Sequence, residues 1–241
     1  MMARMLGRPV VLALAFLLAA LVGATVYAIV RPAASGGVSA EAVRTAILER
    51  PEMIPEAMQA LRDRETGKTV AANRAAITAP FGDAWKGSAN PDVTVVAYMD
   101  YACGYCRQSL PMLERLVAGD PKVRVVFREL PVLSAESRVA AEYSLAAAEQ
   151  GKFKPFHDTL FAVGQLSQAA VDAAIARAGV DRARADAFVK TPAAEREISR
   201  NLQTAGQLGM TGTPSWVVGD RVLSGAVTLE AMQEAVKAAR A

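Results

Sequence analysis

Two cysteines and a single histidine are the whole supply of thiol and imidazole metal ligands in this 241-residue chain. A structural zinc site needs four ligands and an iron–sulfur cluster needs four cysteines or close substitutes. Haem attachment needs a histidine directly after the second cysteine of a CxxC pair, where Arg107 stands here. Cys103, Cys106 and His157 therefore exclude most metal-site readings. Acidic residues are missing from positions 1–34, which hold Arg4, Arg8 and Arg31. Without those three, 24 bases face 24 acids, so the net charge of +3 belongs to the N-terminal segment. The body of the chain lacks the basic footprint of a nucleic-acid binder, and no nucleic-acid partner is expected. Repeats and low-complexity tracts are absent apart from alanine-rich helix. What is present, 52% hydrophobic and 21% charged residues, suits a folded domain with additions.

Val10 to Val30 is an uncharged apolar run behind Arg4 and Arg8. At about 1.5 Å per residue it spans a hydrocarbon core of roughly 30 Å as a helix. Residues 1–34 are thus expected to be a signal-anchor helix or, with a cleavage site near Ala28 or Ala33-Ala34, a removed signal peptide. Either places the rest of the chain outside the cytoplasm, in the periplasm of a bacterium, anchored to the inner membrane if residues 10–30 are retained. There a thiol pair can persist as a disulfide.

The small-residue stretch RPAASGGV leads to Ser39, an expected N-cap, with Val43 and Ile47 at helical spacing. Pro51 and Pro55 each suit the first turn of a new short helix. Residues 38–77 form a helical oligomerisation or linker segment in this reading, with 39–61 seeking an apolar partner in another chain and 62–77 a solvated linker. From residue 78 to 241 the pattern is that of an α/β domain. Asp92–Asp100 reads as a buried strand, Cys103–Val117 as a helix kinked by Pro111, and Val123–Leu130 as a second strand. Strand, helix, strand at this spacing is a right-handed βαβ unit with a parallel pair. An almost wholly helical insertion follows over about 134–208, then a hairpin across Gly219-Asp220 and a helix Thr228–Ala239. The layout is βαβ, insertion, ββα.

Cys103 and Cys106 stand where the first strand gives way to its helix. A disulfide closing so short a gap constrains little unfolded-chain entropy. A redox dithiol fits better: unsatisfied N–H groups and the positive dipole end at the helix N-terminus stabilise a thiolate on Cys103. Cys106, one turn along on the apolar face, is expected buried and protonated. Cys103 is then the nucleophile and Cys106 the resolving thiol, with Gly104 and Tyr105 between them modulating the pair. His157, among aromatic neighbours, reads as a packing residue. Trp85, Trp216, Phe81 and Phe127 read as core or strand-face residues, and Arg182–Lys190 as a solvated helix face.

Asp100-Tyr-Ala-Cys-Gly-Tyr-Cys106 after a buried strand, and Gly209-Met-Thr-Gly-Thr-Pro-Ser-Trp216 before a late hairpin, resemble the DsbA-like branch of the thioredoxin fold. The resemblance runs from Ile77 to the C-terminus, insertion included. It implies a thioredoxin-like fold in which Thr213-Pro214 is a cis-proline loop facing the dithiol, with the Thr213 backbone as an edge partner for substrate. Such enzymes often carry a buried acid six residues before the first cysteine, and Ala97 occupies that position here, leaving Asp100 or a water for the proton route. Residues 47–61 (ILERPEMIPEAMQAL) look like the N-terminal stretch of the suppressor-of-copper-sensitivity C group, some of whose members are trimeric disulfide isomerases.

The expectation is a periplasm-facing protein disulfide oxidoreductase, oxidase or isomerase/reductase, acting on cysteines of secreted proteins. It needs no cofactor or metal beyond the dithiol, but does need a membrane redox partner to recycle it, and forms a homo-oligomer, a trimer by the resemblance, through residues 39–61. A rival reading is a module that holds Cu(I) on the two thiolates in copper tolerance. A third is a scaffold whose anchor and N-terminal helices recruit partners.

Overall fold

The structure, a computed structural model, describes residues 7–30 and 39–240. The chain divides into two compact units, Met1–Ala57 and Met58–Ala241. In the first, α1 (Gly7–Val30) is one continuous helix. Among the described residues no helix is long and apolar enough to cross a membrane. Residues 1–6 and 31–38, and with them the cleavage position at Ala33-Ala34, lie outside the described residues. Ser39 caps α2 (Ala40–Glu49) by accepting the Ala42 N–H at 3.1 Å, as its sequence context suggests. No residue of α2 is buried, and Val43, Leu48, Met53 and Ile54 all lie exposed.

Pro51 lies in the turn before α3 (Met53–Thr78), and Pro55 sits in its first turn, where a missing N–H leaves no helical bond unmade. Residues 62–77, expected as a solvated linker, instead continue this helix and pack. Val70 and Ile77, two turns apart, bury against Val96, Tyr98, Val126 and Val217. Gly67 permits the approach: a β-carbon there would stand 3.3 Å from the Asp220 carbonyl oxygen. Arg74 pairs with Asp220. The carbonyls of Ala76, Ile77 and Ala79 accept from Arg128 at 2.7, 3.2 and 2.6 Å, satisfying backbone groups that a helix end leaves open. Arg128 is itself buried and ion-paired with buried Glu197.

The sheet has order β1-β3-β2-β4-β5: β1 (Trp85–Gly87), β2 (Val93–Met99), β3 (Val123–Glu129), β4 (Ser215–Val218) and β5 (Arg221–Ser224). β2 and β3 are parallel, in register from Val93↔Val123 to Met99↔Glu129, and the other pairings are antiparallel. The βαβ unit and the late hairpin thus follow the sequence pattern. The short edge strand β1 was not anticipated; it is antiparallel to β3, with Arg124 stacked 4.7 Å over Trp85.

On one face, α4 (Gly104–Gly119) and α10 (Leu229–Ala239) cover Val95, Ala97, Val125 and Phe127. α4 continues through Pro111. The insertion comprises α5 (Ala135–Glu149), α6 (Phe153–Ala162), α7 (Gln168–Ala178), α8 (Arg182–Phe188) and α9 (Pro192–Gln207), each but α6 opened by a Ser, Thr or Asp side-chain cap. α8 turns Arg182 and Arg184 to solvent and Ala185 to the core, as the charge run implied. The architecture is the thioredoxin-like α/β fold with a helical insertion, preceded by helices.

Candidate active site

β2 ends at Met99, and the turn Asp100-Tyr101-Ala102 delivers Cys103 to the N-cap of α4 in an extended conformation (φ −82°, ψ 114°). Its sulfur accepts the Cys106 N–H at 3.2 Å, so the thiol takes up a donor that the first helical turn leaves unbonded. Cys103 is 5% exposed and Cys106 is fully enclosed; neither is in a disulfide. Burial pushes the Cys106 thiol well above the ordinary thiol range, and the adjacent Cys103 sulfur pushes the same way. Hydrogen bonding to the Asp100 backbone and to Thr213 opposes it.

The facing loop comes from the sheet. β4 runs antiparallel to β2 with Ser215 beside Tyr98, which sets the start of β4 at the dithiol end. Immediately before it the Thr213–Pro214 bond is cis. The Cys103 thiol donates to the Thr213 carbonyl at 3.3 Å. Ser215 Oγ donates to Gly212 O at 2.7 Å and the Gly225 N–H to Pro214 O at 2.8 Å, pinning the loop from both sides. The four residues singled out in two distant motifs therefore meet. Gly104 has open space where a β-carbon would be, and Tyr105 is 64% exposed. Arg107 is tied into the insertion by donating to Phe161 O at 2.8 Å and Gly164 O at 3.4 Å.

Beyond Leu61, the large apolar side chains exposed among the described residues are Tyr105, Val132 (49%) and Leu133 (54%). One is within the CxxC motif, and the backbones of the other two are bonded to Asp100, in the turn that leads to Cys103. The Asp100 side chain is held by four donors. Its carboxylate accepts from Ala102 N–H (2.8 Å), Ser137 Oγ–H (2.6 Å), Val132 N–H (2.9 Å) and Leu133 N–H (3.0 Å).

Sequence reasoning missed a second buried polar group. Tyr101 Oη lies 2.8 Å from Ser144 Oγ, 3.1 Å from His157 Nδ1 and 3.3 Å from Glu129 Oε1, and Ser144 donates to Glu129 at 2.7 Å. Burial lifts the Glu129 carboxyl to about 8, against the bonds from Ser144 and Tyr101 and with the help of the nearby Asp100 charge. Burial also lowers His157 to about 3. Phe127, Phe153 and Phe161 surround the imidazole at centroid distances of 4.6–4.8 Å, consistent with packing. An acid closing the apolar run VRVVFRE was the visible clue to Glu129. Among the described residues, no group of three or more His, Cys, Asp or Glu side chains is assembled that could hold a metal ion.

Residues 94–237 match the model of the DSBA-like thioredoxin domain. A curated relative, "Na(+)/H(+) antiporter NhaA 3" of Salinispora tropica, is 33% identical over 163 residues, covering 66% of this chain and 25% of that protein. The chain thus spans about a quarter of the length of the curated relatives it matches. Among solved structures, a thioredoxin-like oxidoreductase from Silicibacter pomeroyi is 37% identical with a TM-score of 0.63, over 65% of this chain and 91% of that one. A periplasmic thioredoxin-like protein from Salmonella enterica serovar Typhimurium is 28% identical, TM-score 0.63, over 69% and 95%. Proteus mirabilis ScsC in a compact conformation is 25% identical, TM-score 0.63, over 81% and 94%.

Proposed function

The chain belongs to the DsbA-like thioredoxin domain family, and from that premise we propose that it is a periplasm-facing protein thiol–disulfide oxidoreductase working through Cys103 and Cys106. One observation carries the assignment of roles. Cys103, at a helix cap and 3.3 Å from the carbonyl that precedes cis-Pro214, is the reachable sulfur, and Cys106 behind it is enclosed. In the reducing direction the Cys103 thiolate attacks a substrate disulfide. The substrate S–S bond breaks, a Cys103–substrate disulfide forms, and the displaced substrate thiolate takes a proton from water. Cys106 then gives up its proton and attacks the Cys103 sulfur, releasing the second substrate thiol and leaving Cys103–Cys106 oxidised. Oxidation of a dithiol substrate is the reverse. In isomerisation a thiol of the substrate itself displaces Cys103, so the enzyme ends reduced. The Thr213 carbonyl and N–H offer an extended substrate segment main-chain partners.

The isomerase or reductase direction is favoured by the N-terminal helices and their exposed apolar side chains, because several copies joined there would present several dithiols to one misfolded chain. The Arg4 and Arg8 flank of the apolar run and the periplasmic neighbour support export, with residues 10–30 as signal or anchor. Substrates are cysteine-bearing secreted proteins, and a membrane partner restores the dithiol.

Refolding of scrambled ribonuclease tests this. Recovery of ribonuclease activity that needs Cys103 is expected, and Cys106→Ser is expected to trap mixed disulfides that Cys103→Ser does not. Equal trapping by the two variants would overturn the assigned roles. Equimolar Cu(I) binding by a protein inactive in both ribonuclease refolding and insulin reduction would replace the catalyst with the copper-holding module.

A further inference from the structure

Asp100 touches neither thiol with its side chain, yet it joins three parts of the site. Its backbone carbonyl accepts the Cys103 N–H at 3.0 Å, closing the turn that leads into the α4 cap. Its carboxylate Oδ1 accepts from Ala102 N–H in that turn and from Ser137 Oγ in the first turns of α5. Oδ2 accepts from the successive N–H groups of Val132 and Leu133. Two oxygens with four acceptor directions thus meet four donors, which leaves the residue, 1% exposed, fully engaged. The loop it holds carries two of the three large apolar side chains exposed beyond Leu61 among the described residues, and the third, Tyr105, lies between the cysteines. Such side chains, exposed at a site where chemistry is done on a polypeptide, are a surface for apolar groups of the substrate.

We propose that Asp100 is a positioning residue that fixes Val132 and Leu133 beside the dithiol turn, and that this rim selects substrate cysteines flanked by apolar side chains. The proposal rests on the thiol–disulfide reading above and adds to it a specificity device. A carboxylate is needed rather than an amide. Asparagine has one acceptor oxygen and one NH2 group, so in either orientation the NH2 would face at least one backbone N–H, that of Ala102 or those of Val132 and Leu133; only the Ser137 hydroxyl could turn to accept from it. The β3–α5 loop or the dithiol turn is then released, while the thiols themselves keep their helix cap.

The test follows reduction, by the full-length protein recycled with excess dithiothreitol, of two single-cysteine peptides each disulfide-bonded to glutathione, one with leucine on both sides of the cysteine and one with serine. Wild type is expected to show a higher kcat/KM on the leucine peptide, expressed in KM. Asp100→Asn is expected to lower the leucine-to-serine ratio about tenfold, the order of discrimination available from one apolar contact. A general loss of fold would lower both rates together and leave the ratio alone. Val132→Ser with Leu133→Ser, at exposed positions, supplies the same test if Asp100→Asn does not fold, and its ratio is expected to fall similarly. A wild type that exchanges with both peptides equally overturns this proposal alone, as does a ratio held within twofold of wild type in the Val132/Leu133 variant. A wild type inert towards both overturns the thiol–disulfide reading beneath it.

Discussion

Glu129 and His157 belong to one buried cluster joined through Tyr101, yet burial drives their titrations in opposite directions. Glu129, at about 8 when folded against an ordinary 4.5, keeps its proton longer in the folded chain. The folded state then binds more protons than the unfolded state between those values, so stability falls as pH rises from 4.5 to about 8. His157, at about 3 against 6.5, is protonated first in the unfolded chain, so stability falls as pH drops from 6.5 towards 3. Between 4.5 and 6.5 the two slopes oppose; from 6.5 to about 8 only the Glu129 slope remains. The urea midpoint is therefore expected to fall across pH 6.5–8 in the wild type and to flatten in Glu129→Gln, which keeps an amide oxygen for Ser144. An identical fall in both proteins would contradict the assignment of the slope to Glu129. The contrast with the dithiol shows which residue roles can be read ahead of a structure. Cys103 and Cys106 stand two residues apart at one strand–helix junction and can be read together, whereas the side-chain partners of Glu129 come from a turn and from α5. Asp100 was visible as a residue near the motif, but its four donors, spread over residues 102–137, were not.

Elements with a full local pattern were legible: β2, α4 and β3 each carry their own periodicity, and four of the five insertion helices, all but α6, open on a Ser, Thr or Asp cap. Two elements were not, for the same reason. β1 is three residues long and exists because β3 offers it an edge. The later part of α3 offers little apolar surface of its own, and its burial depends on Val126 and Val217, dozens to well over a hundred residues downstream. Counting apolar residues within a segment cannot register a partner that the fold supplies from elsewhere. The physical border consequently lies near Ala57 rather than at residue 77. A chain beginning at Met58 is expected to unfold cooperatively in urea at nearly the full-length midpoint. One beginning at residue 79 uncovers Val96, Tyr98 and Val126 and removes two of the three carbonyls that Arg128 serves, those of Ala76 and Ile77, and is expected to lose most of its stability. In the Met58 chain, Ile77→Ala alone is expected to remove about 2–5 kcal/mol, the usual range for emptying a buried aliphatic site. Equal midpoints for the two truncations would mean that α3 is no part of the catalytic unit.

At the scale of the whole molecule, the N-terminal unit poses a different problem from the catalytic one, because α2 buries nothing within it. A helix of 10 residues is shorter than the roughly 12–15 at which isolated helices become even marginal in water, so its stability has to come from packing an apolar stripe against something. Val43 and Leu48 on α2, with Met53 and Ile54 at the start of α3, supply the apolar surface, exposed in a single copy. A second copy of the same segment is the simplest cover, which is the assembly that the likeness of residues 47–61 to the suppressor-of-copper-sensitivity C group leads one to expect. Sedimentation should then give a multimer for a chain starting at Ser39 and a monomer for one starting at Met58, both at tens of micromolar. Joining dithioles through this segment raises the effective concentration of the second thiol pair once the first has engaged a substrate, without altering either site. Scrambled-ribonuclease refolding should therefore drop in the Met58 chain much more than insulin reduction, which one dithiol can perform. Monomeric behaviour of the Ser39 chain, or an equal drop in both assays, would remove the oligomer from the account and leave a single-site oxidoreductase.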